Sequence, residues 1–246
     1  MRERIIMSNF FTELAENAIF ALEFAGIILL MFVIAYAVEK YSKIKSGDKE
    51  RILSTKKLVV TGVFAAVSTI LYLFDFSIPF APPEMYKLDF SELPALIVGF
   101  AYGPVAAVMV EFIKVLLKLL FKGTTTAFVG DLANFAVGCS FLLPATIIYR
   151  LKKTRTVAVI SCLVGTIVIT VFGSMFNAVY LIPTFANMFG MPIDVIIGMG
   201  TKINSRIKDM TTFVMLAVAP LNLIKGLMNS IITLLIYKRL SPILKK

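Results

Sequence analysis

Histidine is absent from all 246 residues, which removes the commonest general base, the commonest metal ligand and every serine–histidine or cysteine–histidine nucleophile. Cysteine is nearly as scarce: Cys139 and Cys162 both fall inside apolar segments, where they read as packing residues, with neither a disulfide framework nor a zinc site indicated. No G-x-x-x-x-G-K-[ST] loop occurs, so the chain lacks the usual means of holding ATP for hydrolysis. Charge is sparse as well, at 16% of residues against 59% apolar, with mean hydropathy +0.89. That is more hydrophobic surface than a soluble domain of this length can bury. A soluble enzyme is excluded, and lipid has to cover the excess.

What is present are apolar runs of membrane-spanning length, continuous in Leu, Ile, Val, Phe, Ala and Met without the alternation a β-barrel requires. They predict helices over 19–38, 58–74, 93–101, 105–121, 132–149, 157–181 and 212–237. The first run is too long and too far from Met1 for a signal peptide and reads as a retained helix. Gly103-Pro104 makes a tight turn between the third and fourth runs. The proline-rich stretch 75–92 reads as a structured loop, and 183–211 as a mixed connection.

The net charge of +10 does not indicate nucleic acid, because the basic residues sit in short clusters between apolar runs. The connection 39–57, the turn 150–155 and the tail from Lys238 fall on one side of the membrane and hold most of them. The positive-inside bias therefore predicts a carboxyl terminus in the cytoplasm and an amino terminus outside, in a multi-pass protein of the cell membrane.

Ionisable groups inside spans cost on the order of 3 kcal/mol each on insertion scales, so each asks for a partner or a function. Glu111, Lys114 and Lys118 lie near one face of their helix, as an internal ion pair with snorkelling toward the surface or as part of a site. Asn222 and Lys225 are three apart, just after Pro220, whose missing N–H frees a carbonyl. Ser174 and Asn177 share a stripe that continues to Tyr180, and Asn134 stands near the outer end of its helix. With the orientation above, Asn134, Asn177, Asn222 and Lys225 fall in the outer half of the membrane and can meet in one cavity. Amides donate and accept, which suits a neutral, planar, polar heterocycle. Phe80, Met85, Tyr86, Leu88 and Phe90 of the loop offer a stacking lid. Helix-to-helix polar glue is the competing reading of the amides, and a lipid-facing loop that of the lid. Gly62 and Ala66, with Ala65 and Thr69 beside them, form a small-residue patch that lets another helix approach closely.

Six blocks, in order, give these residues a family context: Phe76-Ser-Ile-Pro-Phe-Ala-Pro-Pro83, Leu88-Asp-Phe-Ser-Glu-Leu-Pro94, Phe100-Ala-Tyr-Gly-Pro-Val105, Ala133-Asn-Phe-Ala-Val-Gly-Cys-Ser-Phe141, Phe176-Asn-Ala-Val-Tyr-Leu-Ile-Pro183 and Pro220-Leu-Asn-Leu-Ile-Lys-Gly226. From about Lys56 onward the chain resembles the substrate-binding S component of energy-coupling factor vitamin importers, in its riboflavin-specific branch. The resemblance implies an all-α six-helix membrane bundle over 56–246, with 1–55 contributing an additional N-terminal transmembrane helix and a basic connection. It implies riboflavin as transported ligand, with no cofactor, captured in a pocket closed by the first external loop. It further implies a membrane coupling protein and two cytoplasmic ATPases as partners, toppling of the bundle to release cargo, and docking through Gly62, Ala65, Ala66 and Thr69. Asn177, Asn222 and Lys225 match positions that hydrogen-bond the flavin in that branch; Asn134, Lys114, Leu88, Phe90 and Tyr180 complete the candidate binding set. The extra first helix and the long connection bearing Lys202, Arg206, Lys208 and Asp209 depart from the family pattern.

Overall fold

A computed structural model describes residues 18–47, 50–82, 86–124, 126 and 128–245. Helices α1 (Ala18–Ser46) and α2 (Thr55–Leu73) precede a short antiparallel pair, β1 (Phe76–Ser77) and β2 (Lys87–Leu88). There follow α3 (Glu92–Tyr102), α4 (Pro104–Lys122), α5 (Val129–Leu151), α6 (Arg155–Phe176), α7 (Ile182–Met188), α8 (Ile193–Ile203), α9 (Met210–Phe213) and α10 (Ala219–Lys245). A π-helical turn, Asn177–Leu181, joins α6 to α7, and another, Val214–Val218, joins α9 to α10, so each pair forms one continuous rod.

Five helices are long and apolar enough to cross a membrane by themselves: α1, α2, α5, and the α6–α7 and α9–α10 rods. Helix α4 has the length but carries Glu111, Lys114 and Lys118 on its inner side. Helix α3, with 11 residues, covers only about 17 Å of a roughly 30 Å hydrocarbon core. The preceding loop makes up the difference by dipping into the bundle, carrying Asp89 and Ser91 to 2% and 0% exposure. This dip brings carboxylates from a connection to the depth of intramembrane lysines.

Helix α3 is the hub, buried along nearly its whole length and packed among α2, α4, α5 and α10. Phe100 stacks on Tyr149 at 4.2 Å between ring centroids and meets the edge of Tyr237 at 5.4 Å, tying α3 to α5 and α10. The chain reverses into α4 at Gly103, whose φ of 114° excludes other residues. A Cβ there would also strike the guanidinium of Arg150 and the carboxylate of Glu39.

Helix α1 packs against α4 and α5, burying Met31 and Ala35 beside Val108, Phe135 and Cys139. Its Glu39 is fully buried, accepts a hydrogen bond from the Val105 backbone N–H at 3.1 Å and pairs with Arg150 at 3.5 Å. Helix α1 thus supplies the cap that α4 lacks after its Gly-Pro start. Leu22, Leu29, Leu30 and Val33 on the outer side of α1 remain exposed for lipid. Both cysteines are free and buried.

The connection expected over 183–211 is in large part helical. Pro183 sits in the first turn of α7, directly after the π-helical turn that accommodates its missing N–H, so the helix continues to Met188. Helix α8 follows, burying Ile196 and Gly200, with Asp194 in its first turn and Lys202 in its last, as the helix dipole favours. Asp209 then caps α9: hydrogen bonds from the backbone and side chain of Thr212 hold its carboxyl below the usual range.

Candidate functional site

A cavity of about 220 Å³ opens between the β1–β2 loop, α4, α5, α7, the first π-helical turn and α10. Asn134, Asn177, Asn222 and Lys225 all line it, from three separate rods, together with Tyr86 and Asp89 of the loop and the apolar Leu181, Phe185 and Leu221. A rim of charge surrounds these groups. Asp75 pairs with Lys87 at 3.4 Å and Lys122 at 3.6 Å, and Lys118 pairs with Asp131 at 2.6 Å.

Local structure explains how the amides are presented. Asn177 opens the π-helical turn, in which one extra residue per turn displaces the side chains that follow from the α-helical stripe. Its Nδ2 donates to the Gly173 carbonyl at 2.7 Å, and its Oδ1 accepts from the Tyr86 hydroxyl at 2.9 Å. Asn222 lies one turn into α10, its amide pressed against Gly173, where a Cβ would stand 2.6 Å from Nδ2. Asn134 Oδ1 is shielded from solvent and has no hydrogen-bond partner among the described residues. A buried acceptor without a donor is costly, and one on a cavity wall is available to a ligand N–H.

Lys225 is held by two carboxylates, Asp89 at 3.1 Å and Glu92 at 2.7 Å. Glu92 also lies 3.6 Å from Lys114, which is bonded to Glu111 and donates to Ser91 Oγ at 2.9 Å. The Ser91 carbonyl in turn accepts from the Ser68 hydroxyl. A continuous network therefore runs from α2 through the loop and α3 to α4 and α10. In a water-poor interior it holds the Lys225 ammonium at one place on the cavity wall.

Four members of the candidate set stand off the cavity. Lys114 is fully buried behind it, committed to Glu111, Glu92 and the face of Tyr72 at 5.0 Å, because its own helix and the start of α3 supply acids that satisfy it internally. Leu88 is buried in the apolar cluster beneath the loop, since its place in β2 turns it inward. Phe90 packs on Phe76 at 6.2 Å, closing the loop on itself. Tyr180 stacks on Phe176 at 5.2 Å and donates to Glu23 of α1, drawn outward by the altered register of the π-helical turn. Of the expected lid, Tyr86 reaches the cavity and Phe80 packs in the cluster beneath; Met85 lies outside the described residues. On α2, Gly62 and Ala66 face outward, whereas Ala65 and Thr69 are buried, Thr69 bonding back to the Ala65 carbonyl.

Asp89, Glu92 and Tyr72 join the site without having been singled out by the sequence pattern. Asp89 and Glu92 flank an apolar run and look like helix-start residues; the excess of intramembrane lysine over intramembrane acid is the signal that acids have to come from elsewhere. Nothing in the pattern around Tyr72 marks it.

Residues 56–237 match the family described as "ECF transporter, substrate-specific component". The chain is similar to "Riboflavin transporter RibU" of Staphylococcus aureus (strain TCH60), 34% identical over 78% of this chain and 93% of that protein. It is also similar to "Riboflavin transporter FmnP" of Bacillus subtilis (strain 168), 31% identical over 77% of this chain and 94% of that protein. A solved structure described as "Structure and mechanism of the S component of a bacterial ECF transporter" superposes with a TM-score of 0.60 at 34% identity, covering 78% of this chain and 98% of that one. With its helical rods gathered around α3 and a family match over most of its length, the chain belongs to the substrate-specific components of ECF transporters.

Proposed function

We propose that this protein captures riboflavin from outside the cell and delivers it inward with a membrane coupling protein and two cytoplasmic ATPases. The observation that carries the reading is the convergence of Asn134, Asn177, Asn222 and Lys225 on one cavity beneath a loop that supplies Tyr86. The flavin ring system has an N–H donor and carbonyl acceptors along one edge, and three amides with one ammonium offer the complementary set. Asn134 Oδ1 awaits a donor; Lys225, already charge-balanced by Asp89 and Glu92, donates without adding net charge to a neutral ligand. Similarity to relatives described as riboflavin transporters supports the same ligand. The cavity falls below the roughly 300–1,000 Å³ of typical ligand pockets, so loading requires the loop to lift.

In this reading 56–246 is the binding unit and 1–55 an adjunct, the amino terminus lies outside, and the carboxyl terminus is cytoplasmic. The subunit relies on its partners for ATP hydrolysis and uses no cofactor. Gly62 and Ala66 lie on the face offered to the coupling protein.

Titrating detergent-purified protein with riboflavin tests the proposal. Submicromolar binding with quenched flavin fluorescence is expected, and Asn222→Ala should weaken it by about 1–3 kcal/mol, roughly fivefold or more. Unchanged affinity in that variant removes the cavity from the mechanism.

A further inference from the structure

A second cavity, of about 510 Å³, lies at the opposite end of the bundle, where the α1–α2 connection, the first turn of α2, the α3–α4 turn and the end of α5 meet. Arg51, Lys56, Lys57, Arg150 and Lys153 line it, with Glu50 as the one carboxylate among the described lining residues. Lys57 engages Glu50 at 3.2 Å and the Arg51 carbonyl; Arg150 engages Glu39, Ser42 and the Tyr102 carbonyl. These bonds fix two of the cations as walls of the cavity, and basic residues outnumber acidic ones among its described lining. Ser54, the N-cap of α2, also lines it, its hydroxyl accepting from the Lys57 N–H. The positive end of a 19-residue helix therefore adds to the same field. Leu53, Leu58, Val59 and Leu151 stand exposed on the adjoining apolar surface. A concave cationic site sits next to surface suited to acyl chains.

We infer that this cavity is a binding site for a phosphate anion, fitted to the headgroup of an acidic phospholipid at the membrane surface. Phosphate chemistry follows from the lining: a fork-shaped guanidinium, several ammonium groups and helix N–H groups recognise tetrahedral oxyanions, and a net positive concavity draws them in. The lipid source follows from position, because a headgroup held there lays its chains against Leu58 and Val59 of α2. The bound headgroup neutralises the place where α1 joins the bundle and fastens the end of α2 at the membrane surface. The site is independent of the cargo cavity.

The test uses the full chain, delipidated in detergent at low ionic strength. Native mass spectrometry compares retention of phosphatidylglycerol and phosphatidylcholine, and thermal melting is followed with inorganic phosphate. Wild type should retain phosphatidylglycerol at about tenfold lower concentration than phosphatidylcholine. The triple variant Arg51→Ala, Lys56→Ala, Lys153→Ala should lose that preference entirely, the three cations together accounting for the tenfold. Phosphate that raises the melting temperature of wild type alone and displaces the lipid supports the site with a soluble anion as occupant. Equal retention of the two lipids with no effect of phosphate, or wild-type preference in the triple variant, overturns the inference. Helicity by circular dichroism checks folding of the triple variant without reference to riboflavin; should it unfold, the single variants Arg51→Gln and Lys56→Gln, expected to lose about twofold each, take its place.

Discussion

Asn222 is held as much by what is missing opposite it as by what surrounds it. Gly173 leaves room for its amide, and a Cβ at that position stands 2.6 Å from Nδ2. Gly173→Ala should therefore displace Asn222 and weaken riboflavin binding about tenfold, read by fluorescence titration, although residue 173 does not line the cavity. Lys225 differs from Asn222 in its dependence on neighbours. Lys225→Ala strands Asp89 and Glu92 as buried acids without their ammonium, a change that costs on the order of 3–5 kcal/mol in comparable buried pairs. It should lower both melting temperature and affinity, whereas Asn222→Ala should act mainly on affinity; equal loss of stability in the two variants refutes this division. The lysines are legible in the sequence because a charge within an apolar run is an anomaly. The two acids that hold Lys225 are not, because Asp89 and Glu92 sit where any helix would begin and become buried only when the loop enters the bundle.

Two π-helical turns touch each other across neighbouring rods, one ending just before Pro183 and lining the cavity with Asn177 and Leu181, the other ending just before Pro220. Proline cannot donate to the carbonyl four residues earlier, and a local wide turn accommodates that loss without breaking the rod. The prolines are visible in the sequence, and the carbonyl freed by Pro220 points to an irregularity there; the extra residue per turn is not visible, since either helical register suits an apolar run. The helical character of 183–211 is hidden for a different reason. Its Ile193, Ile196 and Gly200 carry a helical period, yet the glycines and prolines around them carry a loop composition. At the loop, the hydrogen bond from Tyr86 to Asn177 occupies an amide of the binding cavity. Tyr86→Phe removes that bond, normally worth about 0.5–1.5 kcal/mol, and should speed riboflavin association about two- to tenfold in stopped-flow traces. A slower or unchanged rate excludes Tyr86 as a latch.

For the assembled molecule, the outward face of α2 stays open while α1 covers α4 and α5 on another side. A Cβ added at Gly62 would meet nothing within 4 Å, so Gly62→Leu should leave riboflavin binding intact while blocking co-purification with the coupling protein. Retained co-purification moves docking elsewhere. Membrane residence, helical class and the membership of residues 56 onward in one family were determined by the amino-acid sequence alone, because apolar length and composition decide what a bilayer accepts whatever the packing. Tertiary structure alone decided which polar groups share a cavity. Asn134, Asn177, Asn222 and Lys225 meet there and Lys114 and Tyr180 do not, since where a polar side chain turns depends on which acid the fold brings within reach: Glu92 at the start of α3 for Lys114, and Glu23 of α1 for Tyr180.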